Sequence, residues 1–187
     1  YNDIYDDSRW LIDLVENLLS ITRIEGNGGL ANVQPELIND MLIEALRHID
    51  RKADSHSISI ENKDEFLMAY MDVRLIIQVI INLVNNAIKY TPDNSHIVIS
   101  AEGCGDKVLI RVADNGTGIA DELKPKLFDM FFTGNNSSSD SRRGLGLGLA
   151  LCKSIVLAHG GDISVSDNEP HGTVFTFSLP KVEAKNQ

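Results

Sequence analysis

Three glycines at alternate positions, Gly144, Gly146 and Gly148, stand directly before a stretch of helical character at residues 149–159. A glycine-rich loop that opens a helix favours phosphate binding, because its amide groups point outward and the helix N-terminus carries about half a positive charge. The alternative is a flexible helix entry without a ligand. The motif is not a Walker A loop, because no Lys-Ser or Lys-Thr pair follows it, and no clear strand precedes it as in a dinucleotide fingerprint.

A carboxylate with two more glycines lies thirty residues earlier in the chain. Asp114 ends a predicted strand and is followed by Gly116 and Gly118. A carboxylate at a strand end can accept a hydrogen bond from the exocyclic amine of adenine, and the glycines let the backbone approach a base closely. An ordinary turn after an edge strand is the alternative. Arg142 and Arg143, before the glycine loop, can reach phosphate oxygens or remain solvated charges.

An asparagine pair supplies the third group. Asn82 and Asn86 lie four residues apart and share one face of a predicted helix, with Lys89 and Tyr90 one turn further on. An amide oxygen is a neutral hard ligand that suits Mg²⁺ already holding phosphates and water, and Lys89 brings positive charge to a phosphate. A solvated polar face is the alternative for each residue alone. The order of the three motifs favours a nucleotide site.

Composition limits the classes of partner. The 187 residues suffice for one domain with a core and an appendage. A net charge of −10 argues against nucleic acid, because phosphate contacts need a basic face. Cys104 and Cys152 belong to no metal-ligand pattern, which is typical of reduced thiols in a cytosolic protein. No apolar run can span a bilayer and no signal peptide is visible. Since the sequence begins within a helical pattern, we expect a piece of a longer protein.

The motifs need helices to position them. Leucines and isoleucines at heptad spacing predict a helix over residues 1–25 that needs a partner helix, and the glycines at 26–29 end it. Pro35 predicts the first turn of a second helix that runs to about Ala53. Asp72 is the expected N-cap of a long helix over residues 73–90, which Thr91 and the following proline end.

Strands and loops complete the pattern. Alternating residues predict strands at 57–61, 66–70, 96–102, 107–114, 162–166 and 173–179, with a hairpin turn at 103–106. A short helix is expected near residues 121–128. The small polar residues at 133–141 predict a mobile loop. Strands that alternate with helices indicate a mixed sheet with helices packed on one face.

Four ordered motifs together resemble a known family. The N box is NLVNNAIKYTP at 82–92, the G1 box is DNGTGI at 114–119, the F box is FDMFF at 128–132, and the G2 box is GLGLGL at 144–149. Over residues 30 to 180 the chain is similar to the catalytic ATP-binding domain of sensor histidine kinases, in the superfamily of DNA gyrase B, MutL and heat-shock chaperone ATPases. The resemblance implies an α+β fold: a two-layer α/β sandwich in which a mixed, mostly antiparallel sheet packs against three helices, preceded by one long helix.

The resemblance also implies ATP and Mg²⁺ as cofactors and assigns roles. Asn86 would be the main Mg²⁺ ligand with Asn82 assisting, Lys89 would meet the phosphates, Tyr90 would flank adenine, and Asp114 would read its amine. Residues 133–143 would form a lid. The catalytic residues that it implies are Asn82, Lys89, Arg142 and Arg143. The remaining nucleotide contacts that it implies are Gly116, Gly118, Ile119, the hinge residues Phe131 and Phe132, Gly144, Leu145, Gly146, Leu147, Gly148, Leu149 and Thr173.

Domains and partners follow from the same resemblance. Residues 1–26 resemble the second helix of a dimerisation and phosphoacceptor hairpin, 30–182 the catalytic domain, and 183–187 a tail. The stretch at 141–153 is similar to potassium-responsive kinases of the KdpD type. None of the five histidines has the context of a phosphoacceptor; they are His48, His56, His96, His159 and His171. The expected partners are therefore the phosphoacceptor helices of the parent kinase, a response regulator and a second copy of the full protein. Nucleic acid is not expected as a partner. Contact with a membrane is expected only through an upstream region of the parent protein.

Two other functions remain open at this point. An ATPase of the same fold would drive a conformational change, but such enzymes need a glutamate base on the N-box helix, where this chain has Asn82. A nucleotide-regulated dimerisation module with a degenerate site is the other alternative, although all four boxes are intact. The resemblance, with Asn82 at the position of the glutamate and all four boxes intact, therefore implies a cytosolic protein-histidine kinase domain that transfers the γ-phosphate of ATP to a histidine outside this chain.

Overall fold

A computed structural model describes residues 12, 15–24, 26, 32–49, 55–133 and 146–183. The described residues form four α-helices and seven strands. The helices are α1 (residues 15–24, with residues 12 and 26 also helical), α2 (Ile38–Arg47), α3 (Val73–Tyr90) and α4 (Gly148–Ala158). The strands are β1 (Gln34–Leu37), β2 (Ser57–Ile60), β3 (Met68–Met71), β4 (His96–Cys104), β5 (Lys107–Asp114), β6 (Ile163–Asp167) and β7 (Thr173–Pro180).

Five of the strands form the main sheet, in the order β2-β4-β5-β7-β6. The β2 and β4 strands are parallel, and every other pair in this sheet is antiparallel. A separate antiparallel ribbon joins β1 and β3. The predicted α+β fold with a mixed, mostly antiparallel sheet is therefore confirmed.

The hydrophobic core lies between one face of the sheet and the helices. On β5, Val108, Ile110 and Val112 are buried and alternate with half-buried residues, so one face of the strand points into the core. Helix α3 crosses this face and packs against α2 on one side and α4 on the other. The predicted arrangement of three helices on one face of a sheet is confirmed.

The bounds of α3 match the prediction, because both ends carry strong signals. The Asp72 carboxylate accepts hydrogen bonds from the backbone N–H groups of Arg74 and Leu75 at 3.2 and 3.4 Å, as an N-cap does. At the other end Thr91 is extended, the conformation that a residue before proline prefers. This helix carries the N box, so its bounds fix where the asparagines lie.

The C-terminus of α4 is bonded to the N-terminus of α3. His159 is buried, its Nδ1 lies 2.7 Å from the Ile155 carbonyl oxygen, and its Nε2 accepts a hydrogen bond from the Asp72 backbone N–H at 2.9 Å. These partners require a neutral ring with the proton on Nδ1. His159 therefore connects the helix of the N box to the helix that follows the G2 box.

Two predicted helices are wrong in extent. Pro35 does not start a helix; it lies in β1 opposite Tyr70, because proline needs no donor on an edge strand. Helix α2 begins at Ile38 and ends at Arg47, before the predicted end at Ala53, which lies outside the described residues. The short helix expected at 121–128 is reduced to turns around a 3₁₀-helix at Lys124–Lys126.

Helix α1 buries only part of its apolar stripe. Ile21 is buried in the core, with Leu18 and Ile24 packed against it, whereas Val15 and Leu19 are about half exposed. Leu11 and Leu14 of the predicted heptad lie outside the described residues, as do the glycines at 28 and 29. No helix in the described parts of the chain has the length and apolar character needed to cross a membrane.

Candidate functional site

The carboxylate of Asp114 is held at the end of β5. Its Oδ1 atom accepts hydrogen bonds from the backbone N–H groups of Gly116 and Thr173 at 2.9 and 3.2 Å. In the described part of the chain no donor is bonded to its second oxygen, Oδ2, and this atom remains accessible to solvent. Burial raises the pKa of Asp114, and the two backbone donors oppose this. The result is a buried carboxyl group with one oxygen fixed and one available to a ligand.

The G1 turn after Asp114 is tightly packed, which explains its glycines. A Cβ atom at Gly116 would lie 2.6 Å from Cγ2 of Thr91, the residue that ends α3. Gly118 has a φ of +77°, and a Cβ atom added there would lie close to the Gly172 carbonyl oxygen. Ile119, also predicted as a contact, packs against the core. The N box and the G1 box are therefore in direct contact.

The turn between β6 and β7 contacts the G1 turn, which sequence reasoning missed. The Asn168 side chain donates from Nδ2 to the Asp114 carbonyl oxygen at 2.8 Å. Nδ1 of His171 donates to the Gly116 carbonyl oxygen at 3.1 Å. A side chain at Gly172 would collide with the Asp114 carbonyl. These contacts depend on the register that places Asp114 opposite Thr173, and no local motif reveals that register.

Asn82 faces the start of α4. A Cβ atom at Gly148 would lie 3.5 Å from Oδ1 of Asn82, so the N box meets the G2 box at this point. The Asn82 Nδ2 atom is the one buried side-chain polar atom without a hydrogen-bond partner among the described residues. It faces the thiol of Cys152, whose sulfur is too weak an acceptor to satisfy it. Burial raises the pKa of Cys152 to about 12, so this thiol is unreactive.

The other N-box residues lie further along α3. Asn86 is half-buried, four residues after Asn82 on the same face. Lys89 and Tyr90 are exposed, and the Lys89 ammonium group lies 5.1 Å from the centroid of the Tyr90 ring. Both side chains remain accessible to a ligand at the C-terminal end of the helix.

The F box packs directly on the G2 box. The backbone N–H of Phe131 donates to the Gly146 carbonyl oxygen at 3.1 Å. Gly146 has a φ of +68°, and a Cβ atom there would collide with the Phe132 backbone. Leu147 is buried and Leu149 packs against the core, so this end of the loop is anchored. Four predicted site residues, Arg142, Arg143, Gly144 and Leu145, lie outside the described residues, as does the predicted lid beyond Thr133.

The described site residues of the N box, Asn82, Asn86, Lys89 and Tyr90, thus share one face of α3. Near its middle, Asn82 meets the helix that starts at Gly148; at its end, Thr91 meets the G1 turn. Asn82 and Thr91 are nine residues apart in sequence, which corresponds to about 13 Å of helix axis at 1.5 Å per residue. In the described part of the chain, no group of three or more His, Cys, Asp or Glu side chains could hold a metal ion.

Comparison with known proteins identifies the family. The sequence model described as "Histidine kinase-, DNA gyrase B-, and HSP90-like ATPase" matches residues 71–183. The chain belongs to this ATPase family. The match contains the N box, the G1 turn and the G2 box.

Within this ATPase family the similar proteins are sensor histidine kinases. The chain is 42% identical over 180 residues to the sensor protein KdpD of Clostridium acetobutylicum, a match that covers 96% of the chain and 20% of that protein. The chain therefore spans only one fifth of the length of this relative. The fold is similar to the nucleotide-free catalytic domain of the histidine kinase ThkA, with a TM-score of 0.71 and 34% identity over 81% of the chain and 97% of that domain.

A second ThkA structure is a complex of that kinase with the response regulator TrrA. It matches with a TM-score of 0.76 and 30% identity, and covers 99% of the chain and 51% of the kinase. These findings confirm the resemblance stated from the four boxes, including its likeness to KdpD. The chain is a catalytic ATP-binding domain of the sensor histidine kinase type.

Proposed function

We propose that this chain binds ATP with Mg²⁺ and transfers the γ-phosphate to a histidine on a helix outside the chain. That helix belongs to the dimerisation region of the parent sensor kinase, and the phosphate then passes to a response regulator. The proposal rests on the family and on the likeness to KdpD and ThkA. The complex of ThkA with a response regulator supports the choice of partner.

One observation carries the proposal: α3 makes two contacts about 13 Å apart that suit the two ends of a nucleotide. At the Thr91 end lies Asp114, whose free oxygen can accept from the adenine amine. At the Asn82 end lies the N-terminus of α4, where backbone N–H groups and the helix dipole favour phosphate. An extended nucleoside triphosphate along the exposed side of α3 would reach both.

The described residues fit a magnesium ion. Mg²⁺ prefers oxygen ligands and keeps several waters beside substrate phosphates, so one or two amide oxygens suffice on the protein side. Asn86, with Asn82 assisting, would hold it, because both lie on one face of α3 and Asn82 meets the start of α4. Without an acidic cluster in the described chain, affinity for the metal would depend on the nucleotide. The bound ion would neutralise charge on the transferred phosphate.

The remaining residues position the nucleotide. Lys89 would neutralise phosphate charge, Tyr90 would flank the base, and the glycines of the G1 and G2 boxes would allow close backbone approach. Positioning and charge neutralisation are the main protein contributions to phosphoryl transfer. Arg142 and Arg143 remain proposed phosphate contacts.

The ATPase alternative is disfavoured by Asn82. A water-activating glutamate would stand at this position, and the Asn82 amide cannot act as a general base. The proposed division of the chain keeps residues 1–26 as part of the dimerisation hairpin, 30–182 as the catalytic domain and 183–187 as a tail. We also propose that the domain works in the cytosol, with any membrane anchor supplied by another part of the parent protein.

A phosphotransfer assay tests the proposal. The chain is incubated with γ-labelled ATP, Mg²⁺ and a separate protein that carries the helix pair with the phosphoacceptor histidine of a KdpD relative. We expect acid-labile, base-stable label on that histidine, and none on a partner with histidine replaced by glutamine. Steady ATP hydrolysis without labelled partner would favour the ATPase, and absence of nucleotide binding would refute the site.

A further inference from the structure

We propose that His56, outside all four boxes, is a positioning residue for the base end of the site and acts through Thr91. The inference rests on the proposed function, because it concerns how tightly the same site holds adenine. His56 precedes β2 at the edge of the main sheet, 35 residues before Thr91. Neither residue carries any of the roles assigned from the boxes.

A chain of hydrogen bonds fixes the Thr91 side chain. Its Oγ1 donates to the Ala87 carbonyl oxygen at 2.6 Å, which uses the only proton of the hydroxyl group. Nε2 of His56, 2.9 Å from the same Oγ1, must therefore be the donor. Nδ1 of His56 lies 2.9 Å from Oγ of Ser55 and accepts from it in the neutral ring. Each group has a defined donor or acceptor role, so the threonine rotamer is held from two sides.

The fixed rotamer directs the Thr91 methyl group at the G1 turn. A Cβ atom at Gly116 would lie 2.6 Å from Cγ2 of Thr91, so backbone and methyl group are in close contact. The same Gly116 donates its N–H to Oδ1 of Asp114 at 2.9 Å. A rotation of the Thr91 side chain would therefore remove the methyl group that packs against Gly116. Gly116 is the residue whose N–H aligns the Asp114 carboxylate. His56 prevents this rotation by holding the hydroxyl group.

The backbone supports the same arrangement. The N–H of Asn94 donates to the Ser55 carbonyl at 2.6 Å, and the N–H of Ser57 donates to the Ser95 carbonyl at 3.0 Å. These bonds place the His56 segment against the loop that follows α3. The imidazole is thus attached to a hydrogen-bonded segment at the edge of the main sheet. A positioning group needs such backbone support to hold a site in a precise geometry.

Calorimetric titration with ADP and with a non-hydrolysable ATP analogue tests the inference. We expect His56→Ala to weaken both nucleotides by the same factor, about fivefold, as the loss of one hydrogen bond predicts. The loss should be equal because the γ-phosphate lies at the other end of the site. His56→Gln keeps a side-chain N–H donor and should restore most of the affinity. His96→Gln, at an exposed histidine at the start of β4, is the matched control and should bind as the wild type does.

A double-mutant cycle separates positioning from a general effect on folding. Thr91→Val keeps a branched side chain but removes the hydroxyl group, so His56→Ala should add little in the Thr91→Val background. Thermal unfolding without ligand identifies variants that lose structure, and affinities are compared well below those transitions. Unchanged affinity in His56→Ala, or independent losses in the two variants, would overturn the inference. Failure of the wild type to bind either nucleotide would refute the proposed function itself.

Discussion

Asp114 and Thr173 are opposite residues in the register of β5 and β7, and the Thr173 backbone N–H donates to Oδ1 of Asp114 at 3.2 Å. The sheet itself thus contributes to the alignment of the carboxylate. The Gly116 N–H holds the same oxygen from the following turn. This arrangement leaves Oδ2 without a donor among the described residues and fixes the orientation of the carboxylate, which would lower the cost of ordering on binding.

The first prediction concerns this carboxylate. Asp114→Ala should weaken binding of an ATP analogue by a few kcal/mol, because the adenine amine and two backbone donors would lose their acceptor in a buried place. Calorimetric titration measures the loss. Asp106→Ala in the exposed turn between β4 and β5 is the matched control and should bind normally. Equal affinity in Asp114→Ala and wild type would refute the adenine assignment.

The second prediction separates neighbouring asparagines. Asn86→Ala should abolish most of the gain in nucleotide affinity that Mg²⁺ provides, and should leave the affinity without Mg²⁺ nearly unchanged, because Asn86 is the proposed metal ligand. Asn85→Ala removes the same group from the exposed neighbouring position and should behave as wild type. Titrations at several Mg²⁺ concentrations measure both. An equal loss with and without the metal would assign Asn86 to the nucleotide alone.

The third prediction concerns the contact between the F and G2 boxes. Gly105 and Gly146 both have positive φ, so alanine at either costs about 1 to 2 kcal/mol of backbone strain. At Gly105 the added methyl group meets open space, whereas at Gly146 it collides with the Phe132 backbone. Gly146→Ala should therefore lose more unfolding free energy and also weaken ATP binding, and Gly105→Ala should not affect binding. Urea unfolding measures the stability of the two variants and titration measures their ATP affinity. Equal losses in both quantities for the two variants would contradict the prediction.

The fourth prediction follows from the buried histidine. Burial lowers the pKa of His159 below its usual range, while the hydrogen bond to Ile155 and the charge of Asp72 act in the opposite direction. The folded state therefore binds the proton less readily than the unfolded chain. Its stabilising contribution is complete above the unfolded pKa of about 6.5 and is lost as the pH falls through the folded pKa.

Urea unfolding between pH 7.5 and 5 measures this loss. One proton limits its contribution to the slope to about 1.4 kcal/mol per pH unit. His159→Gln removes the titrating group and should flatten the pH dependence, although the variant itself is less stable. His96→Gln changes an exposed histidine and should keep the wild-type dependence. The same slope in His159→Gln and wild type would exclude His159 as the source.

Local signals predicted the parts of the fold that depend on nearby residues. The cap at Asp72 and the proline after Thr91 fixed both ends of α3, and the Gly105 turn indicated the hairpin of β4 and β5. The helix start predicted at Pro35 was wrong, because a proline in a first helical turn and a proline on an edge strand cannot be distinguished until the pairing with β3 is known.

The supporting residues of the site could not be predicted in this way. Asn168, His171 and His56 contact the G1 turn or Thr91 across 54, 55 and 35 residues of chain. Such contacts follow from strand register and from the packing of edges, and no spacing in the sequence encodes them. The roles of the box residues rest on residue types and on the resemblance, and they remain predictions.

The proposed nucleotide site is tested most directly by mapping the bound nucleotide on the protein in solution. Amide shifts of the ¹⁵N-labelled chain are followed during titration with a non-hydrolysable ATP analogue and Mg²⁺. A nucleotide that lies along α3 should perturb the amides of Thr91, Gly116 and Thr173 at one end and those of Asn86 and Gly148 at the other. Perturbations restricted to one end, or located on the opposite face of the main sheet, would contradict a nucleotide that lies along α3.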